Sequence, residues 1–199
     1  MIPSDASTRP REHEPSRADP GEIRVKGSSI NSKLRFAREV FGTEAEKELS
    51  AFLARSGVHQ VLDGSWYPFE LFDALLRLVA DNHYRGDLSR LMEIGTYSAE
   101  RSLKTTYEVY TLRDFAYFLE RLGTLHGRFY SVGTLETRLD AEARSCRIRL
   151  HGLPYYSEPD LYVASGFYVG AAKVMGLSGV ECSFRKTDSE VHFELTWQS

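Results

Sequence analysis

Cysteine is scarce in this chain: Cys146 and Cys182 are the two thiols among 199 residues. Two are too few for a disulfide scaffold at this length, and they fit a reducing compartment. Long hydrophobic runs are missing as well. The longest fall far short of the roughly 18 apolar residues that a membrane span needs, and the polar, proline-bearing start is unlike a signal peptide. A soluble, cytoplasmic protein with no membrane span is therefore expected. Nor is there an excess of positive charge: 25 basic side chains against 28 acidic ones give a net charge of −3, which leaves no electrostatic argument for nucleic acid. Catalytic motifs are absent too. The sequence has no phosphate-cradling glycine loop, no Gly-x-Ser-x-Gly elbow, no His-Glu-x-x-His and no Cys-x-x-Cys, so no residue is assigned as nucleophile or base and the chain is read as non-enzymatic.

What is present is apolar periodicity. A hydrophobic fraction of 42% over this length is enough for one globular domain with a proper core. Residues 1–22 carry Pro3, Pro10, Pro15 and Pro20 among charges and read as a disordered tail, leaving 23–199 as a single domain. Ile30, Leu34, Ala37 and Phe41 recur at helical spacing to Gly42. Thr43-x-x-Glu46 then reads as a capping box for a second helix through Leu49, Phe52 and Leu53. In Gly64-Ser65-Trp66-Tyr67-Pro68-Phe69-Glu70-Leu71-Phe72, Pro68 suits a first helical turn, and Phe69, Phe72, Leu75, Leu76 and Val79 form its stripe. Asp87 is a cap for a fourth helix with small residues Gly95 and Ala99, and a fifth runs from about Leu112 to Tyr130.

The period then changes from 3.6 to 2. Leu135, Thr137 and Leu139, followed by Cys146, Ile148 and Leu150, mark a hairpin with one wet face. Ser157-x-x-Asp160 with Pro159 opens a last helix to Gly176, and a second hairpin places Val180, Cys182 and Phe184 opposite Val191, Phe193, Leu195 and Trp197. The fold class is α+β: N-terminal helices, then a four-stranded antiparallel sheet made of two hairpins separated by a helix.

The Gly64–Phe72 phrase, with Val25-Lys26-Gly27-Ser28 before it and Tyr130-Ser131-x-Gly133-x-Leu135-Glu136 after it, resembles a myxobacterial paralogous family of uncharacterised proteins. That family is similar to the superfamily of heme-NO-binding domains, 4-vinyl-reductase domains and transport-protein-particle subunits. The resemblance runs from about Ile23 to Trp197 and implies the same element order, with a hydrophobic ligand held between helices and sheet.

Candidate site residues follow from these two readings together. His126 lies on the apolar side of the fifth helix, where an axial heme ligand could stand. Heme is nonetheless disfavoured: the heme-binding branch carries Tyr-x-Ser-x-Arg, against which Tyr97-Ser98-x-x-Arg101 has the wrong spacing and Tyr130-Ser131 lacks the arginine. Zinc is disfavoured because strand parity turns Cys182 inward and His192 outward, leaving at most Cys146 and Cys182 on one face. No cofactor is assigned. Tyrosines crowd the second half, which suits a ligand cavity, an interface or ordinary packing, and a cavity lined from Trp66, Phe69, Tyr97 and His126 is expected. Gly166 and Gly170 permit a close approach that packing within the chain or a homodimer would use. The expected function is a sensory or regulatory domain binding a small hydrophobic molecule, a protein partner of unknown identity, or both. The alternatives are a dimerising interaction module and a heme-based gas sensor.

Overall fold

Ile30, Phe36 and Ala37 are buried at helical spacing on α1, which spans Gly27–Phe41 in the computed structural model of residues 22–198. The expected tail therefore lies outside the described residues, Glu22 apart. Helix α2 (Thr43–Arg55) buries Ala45, Leu49 and Leu53. The capping box does not form: Thr43 is the first helical residue, and the chain turns at Gly42 with φ +97° and no side-chain cap. Helix α3 spans Phe69–Tyr84, with Pro68 as its cap residue and Phe72, Leu75 and Leu76 fully buried. Asp87 caps a single 3-10 turn, Leu88–Leu91, which leads into α4, Met92–Ser102. Helix α5, Phe115–Phe129, is capped by Asp114, whose carboxylate accepts from the Tyr117 amide at 3.0 Å. Ser157 caps α6, Glu158–Val174, as its spacing from Asp160 implies.

Two short strands escape the periodicity. β1 (Arg24–Lys26) pairs antiparallel with β2 (Trp66–Pro68), and Val25 also bridges Tyr130. The Arg24 amide donates to Ser131 Oγ at 2.9 Å, and the Ser131 amide returns a bond to the Arg24 carbonyl at 3.0 Å. The three stretches that carry the family resemblance thus meet at one place in the fold.

The hairpins form as expected: β3 (Thr134–Asp140) with β4 (Ser145–His151), and β5 (Ser178–Lys186) with β6 (Glu190–Gln198). They join through β4 and β6 into one antiparallel sheet of order β3-β4-β6-β5. Cys146, Ile148, Leu150, Val191, Phe193 and Leu195 are buried on its inner face beneath α5 and α6. On the outer face Arg149 joins Glu136 and Glu190, while His192 meets Glu190. The parity that turned Cys182 inward and His192 outward holds.

Helices α4 and α6 cross through glycine. A Cβ on Gly95 would run into the backbone of Val163 and Phe167, one on Gly166 into Met92, and one on Gly170 would stand 2.7 Å from the Thr96 carbonyl. Thr96 Oγ1 donates to the Gly166 carbonyl at 3.1 Å in the same crossing. The Gly166–Gly170 face is therefore consumed within the chain and is not open to a second copy. Among the described residues, no helix is long and apolar enough to cross a membrane.

Candidate functional site

The core divides into two clusters, one beneath the sheet with α5 and α6, the other among α1, α2 and α3 with Leu91 and Ile94. Between them lies a cavity of about 710 Å3, within the roughly 300–1,000 Å3 usual for small-molecule sites. Leu122, Leu125, Leu150 and Phe167 line it from the sheet side, Ile23 and Phe69 from the helical side. Of the four residues expected to line a cavity, Phe69 and His126 do so. Trp66 stands outside, 37% exposed, with the Lys26 ammonium 4.0 Å above its ring. Tyr97 also stands outside; its hydroxyl donates to Glu39 at 2.7 Å and its ring meets Phe36 edge-on.

His126 is held on three sides. Its Nε2 lies 3.1 Å from the Val132 carbonyl; a carbonyl only accepts, so Nε2 carries the proton and Nδ1 is the free acceptor. The ring stacks on Tyr130 at 4.8 Å. Gly133, at φ +98°, passes so close that a Cβ there would stand 2.9 Å from Nε2. Burial keeps the imidazole pKa below its ordinary value, with the Val132 bond opposing, so the ring is neutral at pH 7.

The cavity's polar groups are ones the periodicity did not single out. Lys33, on α1, is 5% exposed and lines the cavity. Its ammonium has one long hydrogen bond, 3.4 Å to Ser98 Oγ, and lies 5.5 Å from the Phe72 ring centre. Burial brings its pKa down to about 8, with Asp160 opposing. Asp160, at the first turn of α6, accepts from the Tyr130 hydroxyl at 2.7 Å, and burial raises its pKa to about 6 against that bond and the Lys33 charge. Lys33 falls three residues after Ile30 and four before Ala37. That placement on the buried face was the available signal.

A third stretch comes nearer to Tyr-x-Ser-x-Arg than the two weighed from sequence. Tyr155-x-Ser157-x-Pro159 keeps the first two residues and has proline where the arginine would stand. Both hydroxyls donate to carboxylates: Tyr155 to Glu70 at 3.0 Å and Ser157 to Asp73. Burial and Glu70 push the Tyr155 phenol above its ordinary pKa. Cys146 and Cys182 are neutral thiols, raised by burial to about 11 and about 12. The described residues contain no group of three or more His, Cys, Asp or Glu that could hold a metal ion.

No family model matches the chain, which leaves the myxobacterial paralogous family without support, and no curated protein matches it. Solved structures do match. A triple mutant of an H-NOX protein from S. oneidensis in the Fe(II) ligation state superposes with a TM-score of 0.70 at 13% identity, over 88% of this chain and 97% of that one. The Fe(II) unliganded H-NOX protein from K. algicida gives 0.68 at 14% identity, over 88% and 97%. A structure described for modulating heme redox potential through protein-induced porphyrin distortion gives 0.63 at 13% identity, over 86% and 99%. The fold of this chain is the H-NOX fold.

Proposed function

We propose that residues 23–199 form one non-enzymatic, cytoplasmic sensory domain that holds a small molecule with an apolar body in the cavity between helices and sheet, and that it signals by changing its contact with a protein partner. The observation that carries this reading is the cavity itself. Here a cavity of about 710 Å3, partly open to solvent, lies between two well-buried cores, and the fold is one whose solved members are described with heme and Fe(II).

Heme is the second reading, and His126 favours it: a neutral imidazole on the cavity wall. The remaining residues do not fit the group as the Tyr-x-Ser-x-Arg signature would hold it. Pro159 brings no cation to the propionates, and the Tyr155 and Ser157 hydroxyls are committed to Glu70 and Asp73, whose negative charges would repel them. His126 would also have to give up its bond to Val132 to offer Nε2. Dimerisation without a ligand is weaker still, since the glycine face that suggested it is filled by α4.

Nile red fluorescence tests the cavity. The dye is expected to brighten with the wild-type protein and not with Ala164→Phe, whose ring would fill the lined space from α6, while both proteins melt cooperatively. Equal brightening would place the dye on the surface and sink the reading. Hemin titrated in parallel is expected to give no Soret shift that depends on His126; such a shift would install the heme reading instead.

A further inference from the structure

The lysine inside the cavity narrows the ligand class, and the narrowing rests on the reading of the cavity as a ligand site. A buried ammonium is expensive unless it is paired and hydrogen-bonded. Lys33 has three N–H donors and one long bond, to Ser98 Oγ. That hydroxyl already donates to the Ile94 carbonyl at 2.7 Å and meets Ser32 Oγ at 2.9 Å, so it can offer the ammonium no more than a lone pair. One turn along α4, Ser102 also lines the cavity, and its buried hydroxyl has no hydrogen-bond partner among the described residues. Asp160 is the acidic group nearest in kind, yet it forms no ion pair with Lys33 and is engaged instead by Tyr130. Around Lys33 the lining carries Lys26, Arg35, Arg101 and Arg128 against Asp63 and Asp160, with Arg101 paired to Glu39, while Glu70 and Asp73 stand behind Tyr155 and Ser157. Opposite the polar strip the wall is aliphatic and aromatic, from Leu122, Leu125, Leu150 and Phe167.

We propose that the cavity takes a single-headed amphipathic anion, a long-chain carboxylate, with its head on Lys33 between the α1 and α4 hydroxyls and its chain against the α5 and sheet wall. The carboxylate supplies the acceptors that the ammonium lacks, and a charge-assisted hydrogen bond is about twice as strong as a neutral one. Such a ligand carries one charge at one end, unlike a porphyrin with its two propionates, and it needs no metal ligand from His126.

Displacement of Nile red by dodecanoate and by dodecanol from the full-length protein separates the head from the chain. Dodecanoate is expected to bind at least about tenfold more tightly than dodecanol, the scale of one charge-assisted bond. In Lys33→Met the two should bind within about twofold of each other, and the unliganded variant should melt higher than wild type because an unpaired buried charge is gone. If acid and alcohol bind the wild type equally, or if Lys33→Met keeps the preference, the carboxylate assignment falls while the cavity reading stands. If neither displaces a dye that Ala164→Phe abolishes, the long-chain class is wrong. If the dye itself ignores Ala164→Phe, the cavity reading has failed, and this inference with it. The acid-to-alcohol comparison in wild type needs no variant to fold.

Discussion

Lys33 and Asp160 make the cavity wall titratable, with opposite consequences for stability. The Asp160 pKa, about 6, lies above its ordinary value, so the native state holds that proton more tightly than the unfolded chain does. Its favourable contribution is complete below about pH 4 and is lost as pH rises through 6. Lys33 at about 8 lies below its ordinary value, so its contribution is complete above about pH 10.5 and is lost as pH falls through 8. Near neutral pH both groups weaken the empty protein, each limiting the other's cost. Asp160→Asn is expected to stabilise the unliganded protein by about 1–2 kcal/mol at pH 7, discounted for water in the cavity, and by almost nothing at pH 4. Urea unfolding at the two pH values checks this. A gain independent of pH would show that the carboxyl is not titrating as described. The apolar period named Ile30, Leu34, Ala37 and Phe41 as the inward stripe of α1, and it passed over Lys33 because lysine counts as polar. Lys33 is in fact more deeply buried than Leu34 or Phe41. A charged residue on a buried face breaks the rule by which periodicity is read, and functional sites are where such breaks collect.

Among the elements, the long helices and both hairpins were legible, because burial writes a 3.6- or 2-residue period directly into the residue types. Gly95 with Ala99, and Gly166 with Gly170, were legible as points of close approach, though not as points of approach to one another. That pairing depends on how α4 and α6 cross, which no local pattern encodes. Gly166→Ala would press its methyl group into the backbone of Met92, which has no flexible end to yield. A loss of about 3 kcal/mol is expected, the upper end of the usual overpacking cost because the backbone cannot yield, and is read as a lowered urea midpoint. An unchanged midpoint would mean that the two helices separate readily. The β1–β2 ribbon was not legible. Three-residue strands are too short to show alternation, and their pairing is set by contacts between distant parts of the chain, Val25 with Tyr67 and Tyr130. Thr43 illustrates the opposite error, since a capping-box spacing is present but Gly42 makes the turn and the hydroxyl is left out of it.

At the scale of the whole molecule, the α+β order and the single sheet followed from the succession of periods, and the solved H-NOX structures share that layout at 12–14% identity. Fold survives such divergence more readily than chemistry does. In this chain the chemistry of the cavity and its surroundings is carried by Lys33, Pro159 and the Glu70 and Asp73 carboxylates. Tyr155-x-Ser157 was present in the sequence as two-thirds of a signature, and only the structure shows both hydroxyls facing acids. Native mass spectrometry of the protein purified from its own host, run beside an absorption spectrum, shows whether the cavity is occupied and by what class of molecule. A non-covalent adduct of a few hundred daltons, released on collisional activation and showing no Soret band, is the expected result. The bare chain mass from freshly purified protein would contradict the reading of the cavity as a ligand site.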